Sequence, residues 1–193
     1  MRFAVLATGP SMSQAVADSV RGKCKVVVVN DAFRLAPWAD MLVAQDHSWW
    51  MYHKDAVDFA GHKFSGNYVH GVSKIHLPTN INSGLAGLMV AVEAGATEVL
   101  LLGFDMRPGH YFGEHPKGLK NADDLRFRTF RMQFADYARS CKVPVYNCTP
   151  GSALTCFPRL GLDEVLERPA HVAGGSGGNP GHWPKPHKGA AIH

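Results

Sequence analysis

Thr8-Gly9-Pro10-Ser11 stands between a short apolar run and a helical stretch, a place where a chain can hold an anion. A glycine there lets a ligand come close to the backbone, and the N–H groups opening a helix attract phosphate. The turn lacks the further glycines of a dinucleotide fingerprint and the lysine of a Walker loop, so a plain tight turn accounts for it equally well. Asn30-Asp31, Gln45-Asp46-His47, Asn82-Ser83-Gly84 and Gly103-Phe104-Asp105 fall in similar places, each closing an apolar run or opening a helix. Asp105 could bind a ribose hydroxyl, an amine or a metal; it could equally cap a helix or pair with Arg107. Asn82 or Ser83 could serve only as a helix cap.

Eleven histidines are many for this length. His110 and His115 lie in Gly109-His-Tyr-Phe-Gly-Glu-His-Pro-Lys-Gly118, a polar stretch suited to a lid over a site. An imidazole there could take the proton of an attacking hydroxyl, with Tyr111 beside it and the charge of Lys117 favouring the neutral form of His115. A solvated histidine is the ordinary account of any one of the eleven. Lys117 and Arg107 could hold phosphate oxygens, although Lys117, Lys120, Arg126, Arg128 and Arg131 read first as a solvated basic face. His47, His53 and His62 have no zinc-like spacing and the four cysteines form no C-x-x-C pair, so no structural metal is expected and the thiols should be reduced and partly buried.

These residues need a frame that brings strand ends together. Phe3–Ala7, Val26–Asn30 with its consecutive valines, Met41–Ala44, Val99–Gly103 and Val143–Asn147 read as buried strands. Ser73–Leu77 is a further candidate within the ambiguous stretch 53–80. Helices are expected after the first turn to about Val20, capped by Ser11 or Ser13, from Asn82 to Ala94 with Gly95 ending it, over 122–140, and over Leu162–Glu167. Phe127, Phe130, Phe134 and Tyr137 recur at helical spacing and belong to a core rather than to a cofactor box. Strands alternating with helices predict an α/β, Rossmann-like domain over 1–168, with a mostly parallel sheet and helices on both faces. Ligands then bind beyond the carboxyl ends of the strands, where the polar residues above would gather. Residues 169–193, rich in glycine and proline, predict an extended arm, with Trp183 either docked or mobile.

Bulk properties narrow the partners. Hydrophobic residues make up 46% and charged ones 19%, enough for a substantial core. A net charge of +4 suits an anionic small ligand and is too weak to argue for nucleic acid. No apolar run approaches the roughly 20 residues of a membrane span, and Met1–Ala7 reads as a strand rather than an export signal, so a cytoplasmic location is expected. Homo-oligomer formation stays open.

The motifs, taken in order, resemble those of the bacterial lipooligosaccharide sialyltransferases from Met1 to about Leu160: Gly9-Pro10-Ser11-Met12 after a short strand, Asn30 closing the second, Asn82-Ser83-Gly84 opening a helix, Gly103-Phe104-Asp105 with a following His/Lys loop, and a last strand running into Cys148-Thr-Pro-Gly-Ser152. The resemblance implies a Rossmann-like domain that transfers a sugar from a cytidine-monophosphate-linked donor to an acceptor hydroxyl on a small molecule or glycan, without a cofactor. It implies Gly9, Pro10 and Ser11 at the phosphate, Asn30 and Ser83 on the nucleotide or sugar, His115 as general base and Tyr111 on the leaving phosphate. Thr8 stands where that family has Asn, Asn82 where it has Thr, and Met106 near where it has a second lid tyrosine. The same Gly-Pro-Ser turn is similar to that of the archaeal-type 6-hydroxymethylpterin diphosphokinases, and small proteins of this look occur in bacteriophages. The kinase likeness implies ATP as donor and Mg2+ held by Asp46 and Asp105. A nucleotide-binding protein without catalysis would need the turns and no working His115.

Overall fold

Runs that are apolar on both faces become the middle strands of a parallel sheet. The computed structural model describes residues 1–78, 80–113 and 122–171. The strands are β1 (Arg2–Leu6), β2 (Lys25–Val29), β3 (Met41–Val43), β4 (His62–Ser65), β5 (Ser73–Lys74), β6 (Glu98–Leu102) and β7 (Val145–Asn147). They form one sheet in the order β5-β4-β3-β2-β1-β6-β7, and every pairing is parallel. The expected strands are present, displaced by a residue or two. The Ser73–Leu77 candidate shrinks to Ser73–Lys74, the residues in register with Phe64 and Ser65 of β4. The His62–Ser65 strand was not foreseen; of its four residues, HKFS, only Phe64 is apolar, which carries little strand signal.

The helices are α1 (Gln14–Ser19), α2 (His47–Tyr52), α3 (Ser83–Glu93), α4 (Asp124–Ser140) and α5 (Leu162–Glu167). Side chains alternating along each strand feed two cores. Phe3, Val5, Val27, Val29, Val99 and Leu101 meet α3 and α4 on one face. Ala4, Leu6, Val26, Val28, Leu100 and Leu102 meet α1, α2 and α5 on the other. The domain is thus α/β and Rossmann-like, with helices on both faces of the sheet. Ser13, not Ser11, caps α1, accepting from the Val16 N–H. The Phe127-Phe130-Phe134-Tyr137 stripe packs into the first core, with Phe134 fully buried.

Two details set the height of α3. A Cβ on Gly87 would lie 2.7 Å from Val29 Cγ2 and 3.1 Å from Val5 Cγ1, so its absence lets the helix rest directly on β1 and β2. Asn82 then fastens the helix start: its Oδ1 accepts from Leu85 N–H at 2.9 Å, and its Nδ2 donates to Gln133 Oε1 on α4 at 3.0 Å.

The four thiols are unpaired, one buried and three half-buried. Burial pushes Cys24 up to about 11 and Cys148 up to about 12, so both are neutral thiols near pH 7. No helix among the described residues is long and apolar enough to cross a membrane. The chain past α5 is tied down to His171, whose carbonyl accepts from Thr97 Oγ1 and whose N–H donates to Glu98. The expected arm at 174–178 and Trp183 lie outside the described residues.

Candidate functional site at the crossover of the sheet

The chain moves outward from β1 through β5, then returns to place β6 on the other side of β1. The connections leaving the neighbouring strands β1 and β6 therefore diverge, and a crevice opens between their carboxyl ends. A cleft of about 420 Å³ occupies this place, a size that suits a small organic ligand. Thr8, Gly9, Asn30, Asp46, Asn82, Ser83 and Gly84 all line it. Residues far apart in sequence, following β1, β2 and β3 or opening α3, are brought to one hollow because a parallel sheet delivers all its strand ends to the same edge.

The backbone around this cleft is unusual. The described non-glycine residues with positive φ are Asn30 (49°), Asn80 (64°) and Met106 (55°), and each of them lines the cleft. Asparagine tolerates this conformation moderately well; methionine has no such excuse. Strain of this kind gathers where structure is held for a ligand rather than for packing. Met106 is retained by Arg131, which donates to its carbonyl at 2.8 Å.

Other expected site residues take different parts. Asp105 is 1% exposed and faces the Gly-Pro turn: Ser11 Oγ–H donates to its Oδ2 at 2.7 Å and Ser11 N–H at 3.3 Å. Arg107 approaches the same carboxylate at 3.7 Å. Asp105 and Ser11 thereby lock the turn after β1 to the segment after β6, and neither lines the cleft. Pro10, exposed, also stays off its wall, as does Asp31, which is buried against His53 with Oδ1 3.0 Å from Nε2. Ser83 lines the cleft while its Oγ accepts from Gln45 N–H at 3.0 Å. In Asn82 the capping account holds in full. The Cys148–Ser152 turn is a brace: Thr149 Oγ1 accepts from Phe104 N–H at 2.9 Å, and Ser152 Oγ–H donates to the Phe104 carbonyl.

Gly9 has a reason of its own. A Cβ at this position would collide with the Asp105 carboxylate and the Gly103 carbonyl, not with the space a ligand would fill. Gly9→Ala should therefore destabilise the fold by about 1–3 kcal/mol through overpacking. A denaturant titration that leaves its stability unchanged would contradict this placement.

His115 and Lys117 lie outside the described residues. Tyr111 is 41% exposed, its ring edge-on to Phe112, and its N–H donates to the Thr8 carbonyl at 2.8 Å. Its side chain does not line the cleft. His110 does, and its Nδ1 shares a hydrogen bond of 2.9 Å with Thr8 Oγ1, the donor depending on the tautomer. Among the described residues Arg126 is the Lys or Arg side chain on the cleft wall, its guanidinium 5.8 Å from the Phe130 ring. Sequence reasoning left Arg126 on a solvated face and passed over Trp49 altogether. The signal for Trp49 was present, since Asp46-His47-Ser-Trp-Trp reads as a cap followed by a helix turn. Comparison with protein-family models and with curated proteins gives no match for this chain.

Of the two carboxylates that a magnesium-dependent reaction would use, Asp46 lines the cleft and is exposed, whereas Asp105 Oδ2 accepts from Ser11 and its buried Oδ1, 3.7 Å from Arg107, has no hydrogen-bond partner. Among the described residues no group of three metal-ligating side chains forms.

Proposed function

We propose that the cleft binds a nucleotide-linked donor and that the protein is a small glycosyltransferase, moving a sugar from a cytidine-monophosphate-type donor to an acceptor hydroxyl. The observation that carries this reading is the convergence of Thr8, Gly9, Asn30 and Ser83, from separate segments, on one cleft at the β1–β6 crossover. In the reaction the bond between the sugar and the donor phosphate breaks, the phosphate keeps the electron pair, and the acceptor oxygen bonds to the sugar. The acceptor's proton goes to a histidine. The sialyltransferase likeness gives this role to His115, with Tyr111 assisting the leaving phosphate; the described cleft supports His110, oriented by Thr8. Lys117 belongs to the same proposal as a phosphate contact.

The reading is tested by thermal stability in the presence of cytidine, uridine, guanosine and adenosine nucleotides, with and without magnesium. A cytidine nucleotide should stabilise the protein without magnesium, by about 2.7 kcal/mol at a hundredfold excess over its Kd. Stabilisation by ATP only, and only with magnesium, would replace the glycosyltransferase reading with the diphosphokinase one.

A further inference from the structure

Trp49 and Trp50 are adjacent, 3% and 2% exposed, yet their indole nitrogens differ. Trp50 Nε1–H donates to the Ala44 carbonyl at 3.0 Å. Trp49 Nε1 is buried and has no hydrogen-bond partner, although buried indole N–H groups ordinarily have one. Trp49 lines the cleft, and its ring is held firmly: edge-on to Phe33 and Trp50, and tilted over His53 at 4.6 Å, which is itself paired with Asp31. Asn30, next to Asp31, also lines the cleft, and its Oδ1 is buried without a partner. On the side of the cleft beyond β2 and β3, two lining residues thus each carry a buried polar atom without a partner, one a donor and one an acceptor.

The pairing constrains what can satisfy it. A phosphate supplies acceptors only and would leave Asn30 Oδ1 unmatched; a cation supplies donors only and would leave the indole unmatched. A flat edge carrying both a donor and an acceptor answers both groups, and Phe104, Phe127 and Phe130 add aromatic lining suited to a planar ring. We infer that Asn30 and Trp49 form a nucleobase-reading subsite, Trp49 Nε1–H donating to a ring carbonyl or ring nitrogen and Asn30 Oδ1 accepting from an amino or imino N–H. This rests on the nucleotide reading of the cleft and adds to it the element that reads the base.

The test uses the native chain labelled with 15N, following indole N–H resonances during titration with cytidine monophosphate, uridine monophosphate and ribose 5-phosphate. Trp49→Phe assigns the Trp49 signal; if that variant does not fold, Trp50→Phe and elimination assign it. At least one nucleotide should move the Trp49 signal downfield while Trp50 stays in place, and ribose 5-phosphate, which has no base, should leave both unmoved. Asn30→Gly, which keeps the positive φ, should weaken that nucleotide about 10-fold, the usual worth of a lost hydrogen bond, and leave ribose 5-phosphate binding unchanged. Nucleotide binding without movement of the Trp49 signal, or equal movement with ribose 5-phosphate, overturns this inference and spares the nucleotide reading. If neither nucleotide binds, the cytidine-type reading fails and the base subsite falls with it.

Discussion

Glu98→Ala should lower the stability of the protein by about 3–5 kcal/mol, the range for stripping one partner from a buried ion pair. Glu98 opens β6 and is 0% exposed. Its carboxylate accepts from Arg2 Nε at 2.8 Å, Arg168 Nη2 at 3.1 Å and His171 N–H at 3.1 Å. The Arg2 side chain is only 6% exposed, so removal of the carboxylate leaves a cation buried with no counter-charge. Arg168, at 33%, can turn to water and keeps the Tyr146 ring beneath it at 4.5 Å, which places most of the loss on Arg2. Glu98→Gln retains a carbonyl acceptor and should lose less. Because Arg2 and Glu98 begin their strands, the network lies at the end of the sheet opposite the cleft. Urea unfolding of both variants checks the prediction, and ligand affinity should stay unchanged in whatever fraction remains folded. A loss under about 1 kcal/mol in Glu98→Ala would mean that Arg2 finds water without effort.

His110→Ala should cut turnover by roughly 10²- to 10⁴-fold, the contribution of a positioned general base, with little change in nucleotide affinity. His110 is the histidine that the described cleft presents, and Thr8 Oγ1 fixes its ring through Nδ1 at 2.9 Å. Thr8→Val preserves the shape of that side chain and removes the hydrogen bond, so its loss of turnover should be smaller and confined to kcat. Single-turnover rates and equilibrium affinities on both variants separate the chemical step from binding. Full turnover in His110→Ala together with collapse in His115→Ala returns the base to the residue that the sialyltransferase likeness implies. If both histidines prove dispensable and magnesium essential, phosphoryl transfer from ATP is the better account.

The strand runs were legible because a parallel strand covered on both faces must be apolar throughout, and Val26–Val29 and Val99–Leu102 meet that condition without help from their neighbours. For the same reason the positions of Thr8, Gly9, Asn30 and Ser83 at strand ends or a helix start could be read from the chain alone. Local chemistry also marked the Asn82 cap and the core stripe of α4. An element whose stability comes from pairing rather than composition was not legible: β4 is held by its register with β3.

What each polar residue does was decided only by the tertiary structure. Asp31 and Asp46 both follow apolar strands, yet one is buried against His53 and the other faces the cleft. Asp105 and Gly9 both stand where the sequence suggests a ligand contact, and the approach of the β1 and β6 turns also packs them against each other. Trp49 gains its meaning from a hydrogen bond that Trp50 makes and it does not. The physical reason is common to all of these. Secondary structure follows from the order of residues along a few turns of chain, whereas the use of a side chain depends on which distant donor, acceptor or charge the sheet order sets beside it.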